Sequence, residues 1–202
     1  MSEFVADASP VRAELSRKAL HLASAALPIS WSVGWISTPA VRLLLVVSCA
    51  IAFVVEYARR RSPRIQRGFE ALFGIMLRPH ERAALTGASW LLLGMLGSAM
   101  LFPQPAALVA LWAVAVGDGV ASLVGRLATR ASGASTTKTW SGTIACLVAT
   151  AAGAWWLAAA TASSALLIGL AAAVAERPRL ALDDNVRVAA AAGLAAWGLS
   201  AT

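Results

Sequence analysis

Seven apolar stretches, each separated from the next by charges, prolines or small polar residues, dominate this chain of 202 residues. A helix needs about 20 mostly apolar residues to cross the hydrocarbon core of a bilayer. The pattern therefore predicts an all-α integral membrane protein, a polytopic bundle of about seven transmembrane helices. Six is the alternative, because the last two stretches are short and rich in alanine. The predicted spans are Ala19–Ile36, Ala40–Ala58, Ala83–Phe102, Pro105–Leu127, Trp140–Ala160, Ala162–Ala175 and Val186–Leu199.

The composition agrees with a single membrane domain. The chain is 59% hydrophobic and 13% charged, whereas about a quarter of the residues in a soluble domain are charged. This excludes a soluble globular enzyme, a disordered chain and a disulfide scaffold, and leaves no room for a separate soluble module. We expect one membrane-embedded domain over residues 1–202, with residues 1–15 as a flexible cytoplasmic N-terminus.

The positive charges predict the orientation. Seven spans with the N-terminus inside leave four inner segments, 1–18, 59–82, 126–139 and 176–187. These hold 16 of the 17 Lys and Arg residues, and Arg42 alone lies outside. Cytoplasmic loops carry such an excess of Lys and Arg, so we predict a cytoplasmic N-terminus. The same rule explains the net charge of +7 without nucleic acid as a partner. The small size and short loops favour a prokaryotic plasma membrane.

One acidic residue stands inside the fourth span. Asp118 lies in the run LVALWAVAVGDGVASLVG, about 20 Å from the outer surface at about 1.5 Å per residue. A carboxylate in the membrane costs about 2.5–3.5 kcal/mol and usually marks a functional site. Gly117 permits close approach of a backbone or a ligand, and Ser122, Gly125 and Arg126 continue the same helix face toward the cytoplasm. A structural Asp–Arg pair between helices is the alternative.

Basic residues near the inner face are candidate phosphate ligands. Arg17, Lys18 and His21 recur at helical spacing in SRKALH, so their side chains can meet one ligand, although basic residues there can also be an orientation signal. Lys138 and Thr139 precede the fifth span in KTWSGT, where the free N–H groups of a helix N-terminus suit an anion. A capped helix start with a topogenic lysine explains the same residues.

Two further inner segments carry a pattern. Residues 59–82 alternate arginines with apolar side chains, which is typical of an interfacial amphipathic helix on anionic headgroups. A solvated basic loop is the alternative. The last inner loop offers Glu176, Asp183, Asp184 and Asn185. These three carboxylates and one amide, together with Asp118, can hold Mg²⁺ beside phosphate oxygens. Capping of a helix by Asp or Asn explains part of the same signal.

In this order the motifs resemble those of the membrane-bound CTP-dependent lipid kinases, the family of dolichol kinase, phytol kinase, farnesol kinase and the fungal CTP-dependent diacylglycerol kinase. The matching pieces are RKALH, EYARR, RPHERAALTGASW, VGDGVASLVGR, KTWSGT, and ERP with LDDNV. The resemblance implies transfer of the γ-phosphoryl group of a nucleotide, usually CTP, to a membrane lipid alcohol with Mg²⁺ or another divalent cation. This chain lacks the extra N-terminal helices of dolichol kinases, so phytol, geranylgeraniol or farnesol fits better.

Motif by motif, the resemblance implies roles for residues of this chain. Asp118 and Lys138 are the expected catalytic residues, with Asp118 either a base or a metal ligand. The implied metal ligands are Asp118, Glu176, Asp184 and Asn185. The implied nucleotide and phosphate ligands are Arg17, Lys18, His21, Gly117, Ser122, Gly125, Thr139 and Gly142, and we expect Arg78 and Arg126 as further clamps. In two places the chain departs from the family pattern: Thr129 stands where many members have a glycine, and Ser141 where dolichol-type members often carry Glu.

Two other classes of function remain open on the sequence. A CTP-using phosphatidate-type cytidylyltransferase has similar acidic and basic loops at the inner face, but it releases pyrophosphate where a kinase releases CDP. A small transporter would also carry a buried Asp and helices interrupted by glycine. Two observations argue against a transporter: the outer turns carry no residues suited to chemistry, and no inverted repeat is detectable. In every case, the polar substrate is expected from the cytoplasm.

Overall fold

The computed structural model is all-helical over the residues that it describes, which are 8–132, 138–178, 180 and 182–200. This confirms the predicted all-α class. Two 3-10 turns, Gly74–Met76 and Pro79–Arg82, connect the helix Pro63–Phe73 to the helix Gly87–Leu101. A π-helical turn, Ala113–Gly117, joins the helices Gln104–Trp112 and Asp118–Ser132 into one rod. The helices are α1 (Ala8–Ala23), α2 (Ala26–Ser32), α3 (Thr38–Arg61), α4 (Pro63–Phe73), α5 (Gly87–Leu101), α6 (Gln104–Trp112), α7 (Asp118–Ser132), α8 (Trp140–Ala158), α9 (Ala162–Glu176) and α10 (Asp184–Ser200).

Three helices are long and apolar enough to cross a membrane, namely Thr38–Arg61, Gln104–Arg130 and Trp140–Ala158. Gly87–Leu101 and Ala162–Glu176 are apolar but shorter. Large apolar side chains are exposed along these helices, and a contiguous apolar surface of this kind is stable in lipid rather than in water. Three helices that could span a membrane, with apolar side chains exposed along them, are what a helical membrane protein requires.

The first predicted span is wrong in its bounds. The sequence predicts one helix over Ala19–Ile36, whereas the structure has α1 and α2 there, separated by a turn that begins at Ser24. Pro28 explains the break, because its nitrogen has no N–H to donate to the carbonyl of Ser24. Residues 8–15, predicted as flexible, form the first two turns of α1. Residues 1–7 of the predicted flexible terminus lie outside the described part of the chain.

The third predicted span also starts too early. The helix begins at Gly87 rather than at Ala83, because residues 79–82 form a 3-10 turn and Thr86 caps α5 by accepting the N–H of Ser89. The remaining predicted spans coincide with α3, the α6–α7 rod, α8, α9 and α10, apart from a few residues at their ends.

The α6–α7 rod lies at the centre of the bundle. It packs against α5, α8 and α10, and its α7 half also contacts α1. Small residues allow these helices to approach closely: a Cβ added to Gly169 would lie 2.4 Å from the carbonyl oxygen of Leu147, and one added to Gly94 would lie 2.8 Å from that of Asn185. In lipid, where apolar surface gains little from leaving its solvent, such close packing holds helices together.

The segment after α3 contains a short amphipathic helix, as the sequence predicts. Helix α4 follows Ser62 and begins at Pro63, whose missing N–H costs nothing in the first turn. Its apolar Ile65 and Leu72 are exposed together with Arg64 and Arg67. Exposed apolar and basic side chains on one short helix suit the boundary between headgroups and acyl chains.

Candidate functional site

A cavity of about 2220 Å³ brings together segments from nearly the whole chain. Its walls come from α1, α3, α4, both 3-10 turns, α5, α7 and the ends of α8, α9 and α10 that face it. Fourteen of the predicted site residues line it: Arg17, Lys18, His21, Arg78, Asp118, Ser122, Gly125, Arg126, Lys138, Thr139, Gly142, Glu176, Asp184 and Asn185.

The polar end of the cavity is built around Asp118, the first residue of α7. Its exposed fraction is 2%. Lys18 of α1 donates a hydrogen bond from Nζ to Asp118 Oδ2 at 2.8 Å, and His21 Nδ1 lies 3.9 Å from the same oxygen. The buried partner of Asp118 is therefore a lysine of the first helix, and the alternative of an Asp–Arg pair is wrong. A buried ion pair is costly to desolvate and is weak evidence of a purely stabilising role.

Three buried polar atoms of the cavity lining have no hydrogen-bond partner among the described residues. They are Asp118 Oδ1, His21 Nε2 and Asn185 Oδ1. A buried polar atom left unsatisfied costs about 1–3 kcal/mol. A ligand in the cavity would supply the partners that the described residues do not give these three atoms.

A π-helical turn leads directly into Asp118. Such turns are rare and occur frequently at functional sites. The last residue of this turn, Gly117, faces α8, where an added Cβ would lie 2.5 Å from Thr150 Oγ1. Gly117 is a predicted nucleotide ligand, but it lies outside the set of described residues that line the cavity. The structure thus places Gly117 in the packing between the rod and α8.

Lys138 lies between two carboxylates. Its Nζ donates to Glu176 Oε1 at the end of α9 and, at 3.2 Å, to Asp184 Oδ2 at the start of α10. Burial alone would lower the pKa of Lys138, but the bond to Glu176 and the charges of Asp184, Glu176 and Asp118 outweigh burial and raise this pKa above its ordinary value. Lys138 is therefore a fixed cation at neutral pH.

The loop before α10 positions Asn185. Asp183 Oδ1 accepts the backbone N–H of Asn185 at 3.0 Å and its Nδ2 at 2.7 Å, and the same Nδ2 lies 3.4 Å from the carbonyl oxygen of Gly87. Burial raises the pKa of Asp183, and the charges of Asp184 and Asp118 raise it further. The two hydrogen bonds from Asn185 lower this pKa, but the net shift is upward. Asp183 thus caps α10, as the capping alternative predicts, while Glu176 and Asp184 bind Lys138.

Thr139 caps α8. Its Oγ1 accepts the N–H of Gly142 at 3.1 Å and a hydrogen bond from Ser141 Oγ at 3.1 Å. A Cβ added to Gly142 would lie 2.7 Å from the carbonyl oxygen of Ala121 and 3.4 Å from the Cα of Gly125. The capped helix start is therefore present, and the two glycines bring α7 and α8 together at the cavity wall.

Glu14 is a site residue that the sequence analysis missed. Its carboxylate lies 2.5 Å from Arg126 Nη2, 2.9 Å from Arg17 Nη1 and 4.0 Å from Arg78 Nη2. We call these four residues the arginine cluster. One negative charge among three guanidinium groups leaves a surplus of two positive charges, which favours an anionic ligand with several oxygens. The only local signal was the spacing of three residues between Glu14 and Arg17.

A buried network at the end of α3 holds the loop that carries Arg78. Glu56 accepts the N–H of Thr86 at 2.8 Å and Ser89 Oγ at 3.1 Å, and it bonds Arg59 at 2.5 Å. Arg59 is 1% exposed. It donates to the backbone carbonyls of Glu81, Arg82 and Ala84.

Glu81 completes this network from within the loop. Its side chain accepts the N–H of Arg78 at 2.9 Å and that of Gly87 at 3.1 Å. The loop is therefore fixed at both ends by buried carboxylates. Arg78 is held by its backbone at the cavity, and its side chain can reach toward Glu14.

The predicted metal ligands do not form a cluster. Within the described ranges, no three His, Cys, Asp or Glu side chains come together in a way that could hold an ion. Asp118 pairs with Lys18, and Glu176 and Asp184 pair with Lys138. The orphaned oxygens of Asp118 and Asn185 nevertheless suit Mg²⁺, which needs one or two carboxylates and takes its other ligands from water and phosphate.

Comparisons with protein-family models, with curated proteins and with solved structures found no match to this chain.

Proposed function

We propose that this protein is a membrane-embedded lipid kinase. It transfers the γ-phosphoryl group of a nucleotide, CTP by the motif resemblance, to the hydroxyl of a membrane lipid alcohol. The observation that carries the proposal is that one cavity joins the buried Lys18–Asp118 pair, Lys138 and the arginine cluster to apolar walls from α1, α3 and α5. A reaction between a nucleotide and a lipid needs both kinds of surface in one place.

The proposal includes a topology of seven spans with the N-terminus on the cytoplasmic side of a prokaryotic plasma membrane. The short α1 and α2 together form the first span. The charge distribution supports this orientation. With it, the arginine cluster and Lys138 lie at the inner face, where nucleotides are available.

Cationic side chains hold the phosphates. Phosphoryl transfer depends mainly on positioning and on neutralising the charge of the phosphate oxygens. Arg17, Arg78 and Arg126 exchange the carboxylate of Glu14 for phosphate oxygens, since guanidinium groups bind both in the same forked geometry. Lys138 supplies a further point charge. Ser122 and Thr139 lie on the same wall and offer hydroxyl groups.

The lipid hydroxyl lies at Asp118. The hydroxyl oxygen of the lipid forms a bond to the γ-phosphorus while the bond from that phosphorus to the bridging β–γ oxygen breaks. The products are a lipid phosphate and CDP. Lys18 holds Asp118 Oδ2, so Oδ1 faces the substrate and accepts the hydroxyl proton. In the alternative role Asp118 is a ligand of the cation, together with Asn185 and with Glu176 or Asp184. Mg²⁺, when bound, would neutralise charge on the phosphates.

The test uses purified protein in lipid nanodiscs with Mg²⁺ and γ-labelled CTP or ATP. Phytol, geranylgeraniol, farnesol, undecaprenol and diacylglycerol are offered in turn. We expect label in one lipid, and a loss of at least about 100-fold in Asp118→Asn, because a positioned proton acceptor contributes about 10²–10⁴-fold. Glu70→Gln is the matched control, since Glu70 bonds Gln66 outside the cavity lining.

Other outcomes would replace the proposal. Near-normal turnover in Asp118→Asn would remove Asp118 from the mechanism. Release of pyrophosphate with a phosphatidate acceptor would identify a cytidylyltransferase instead. No reaction with any acceptor would favour transport of a small polar solute.

A further inference from the structure

One face of α3 is lined by small and apolar side chains that run from the cavity into the membrane. Ala52 and Val55 line the main cavity, and Leu44, Leu45 and Ser48 line a second pocket of about 350 Å³. These residues recur at intervals of three and four, so they share one helix face. The twelve residues from Leu44 to Val55 span about 16 Å along the helix at about 1.5 Å per residue.

The opposite walls follow the same path. Leu92 of α5 lines both the main cavity and the second pocket, and Met95 continues the wall one turn further into the membrane. On the first span, Leu20 borders the main cavity and Leu27 the second pocket. Leu92 is the one described residue that lines both pockets, so the two adjoin there. We call the apolar walls of both, between α1–α2, α3 and α5, the trough.

The chemistry of the trough differs from that of the cavity's polar end. The described residues that line the second pocket carry no charge, so this part offers nothing to a nucleotide. Its rim is open to the membrane, since Leu20 is 59% exposed and Leu44 is 48% exposed. A volume of about 350 Å³ between helices accommodates one hydrocarbon chain rather than the two chains of a diacyl lipid.

We propose that the trough binds the hydrocarbon chain of a single-chain lipid alcohol, which enters sideways between α1 and α3 and places its hydroxyl at Asp118. This inference rests on the proposed kinase function and specifies its acceptor. The continuity of the trough with the polar end supports a substrate over a passive membrane lipid. The length of the trough then sets the preferred chain length.

Chain-length preference provides the first test. Ser48→Trp fills the middle of the trough, while Ala50→Trp, on the exposed side of the same helix, adds the same side chain toward lipid. We expect Ser48→Trp to lower kcat/KM for geranylgeraniol at least tenfold and to leave that for geraniol within threefold. Ala50→Trp should change neither. An equal loss for both alcohols, or no loss for either, would overturn the proposal.

A binding experiment tests the lipid site in the trough independently of the kinase activity. A geranylgeraniol analogue with a diazirine at the end of its chain is photolysed with the protein in nanodiscs. We expect labelling of peptides that contain Leu44, Ser48 or Met95, competition by unlabelled geranylgeraniol, and loss of labelling in Ser48→Trp but not in Ala50→Trp.

Competed labelling in the trough without phosphoryl transfer from any nucleotide would reject the kinase and retain the trough as an alcohol site. Phosphoryl transfer with labelling elsewhere would reject the trough and retain the kinase. Equal labelling by a diacyl phospholipid probe would show that the trough holds ordinary membrane lipid, and would overturn the inference.

Discussion

Gly142 shows how one missing side chain fixes the distance between two helices. A Cβ at this position would lie 2.7 Å from the carbonyl oxygen of Ala121. That oxygen belongs to the backbone of α7 and cannot rotate away, so the helices would have to separate. Gly97 in α5 is the opposite case, because no described atom lies within 4 Å of its added Cβ.

We therefore predict that Gly142→Ala lowers the free energy of unfolding by about 1–3 kcal/mol, the usual cost of forcing a methyl group into a packed contact. Gly97→Ala should be neutral or stabilise by up to about 1 kcal/mol through helix propensity. Unfolding in mixed micelles, followed by circular dichroism, measures both. Equal stabilities of the two variants would contradict the close contact between α7 and α8.

Glu14 competes with any anion for the arginine cluster. Removing its charge should therefore tighten nucleotide binding. We predict that Glu14→Gln lowers the KM for the nucleotide about two- to fivefold, the effect of one partly exposed ion pair, and leaves kcat nearly unchanged. Steady-state kinetics with varied nucleotide measures this, with Glu70→Gln as the control. A raised KM would mean that Glu14 orients the arginines rather than competing for them.

At the scale of elements, the junction between α3 and α5 depends on Arg59. This guanidinium satisfies three backbone carbonyls and neutralises Glu56. Its loss would leave the buried carboxylate without its buried cation, with only the partly exposed Arg60 at 3.4 Å to balance its charge. We predict that Arg59→Met destabilises the protein by about 3–5 kcal/mol. Arg61→Met is the control, because Arg61 is exposed and stacks on Tyr57.

Hydrogen exchange localises the effect of Arg59→Met. The amides of Thr86 and Gly87 bond to Glu56 and Glu81, so they should exchange faster in this variant while amides in the middle of α8 keep their protection. Uniform acceleration throughout the bundle would instead indicate global unfolding. Unchanged exchange at Thr86 would contradict the role of the network in fixing the loop.

The sequence predicted elements best where an apolar run has no interruption. Helices α3, α8 and α9 and the α6–α7 rod follow from such runs. The sequence prediction failed where local backbone geometry determines the bounds of a helix. Pro28 breaks the first span, and the 3-10 turn at 79–82 delays the start of α5. The π-helical turn had no signal, because Ala113–Gly117 consists of small apolar residues that suit an α-helix equally well.

The sequence predicted which residues belong to the candidate site, but not which of them form ion pairs with each other. Asp118 stood out because a charge in an apolar segment is costly, and Lys18 because it recurs with Arg17 and His21 at helical spacing. Their mutual bond depends on the rotation of α1 against α7, which follows from tertiary packing and not from spacing along either helix. Glu14 was missed because two of its three arginine partners come from other elements.

On the scale of the whole molecule, several helices are short for a membrane span. Helix α5 has 15 residues, or about 22 Å at 1.5 Å per residue, against a hydrocarbon core of about 30 Å. A short span is accommodated by local thinning of the bilayer. With the proposed topology of seven spans, the bilayer is therefore expected to be thin beside the cavity, which would shorten the path from the water to Asp118.

Labelling of single cysteines tests whether α5 crosses the membrane. The free Cys49 and Cys146 are first replaced by Ala, and then Arg64→Cys or Gln104→Cys is introduced at an exposed position. With the proposed topology, a membrane-impermeant maleimide added to intact cells labels Gln104→Cys, and it labels Arg64→Cys only after permeabilisation. The reverse pattern would invert the orientation, and labelling of both from outside would mean that α5 does not cross.

The π-helical turn before Asp118 sets the angular phase of α7 relative to α6. Each residue of an α-helix advances the chain by about 100°, so an insertion or deletion of one residue rotates everything that follows. Loss of one residue from Ala113–Gly117 would leave the length, hydropathy and composition of the rod almost unchanged, yet it would turn the Asp118 carboxylate away from Lys18. Within this segment, the number of residues constrains the site as well as their identity.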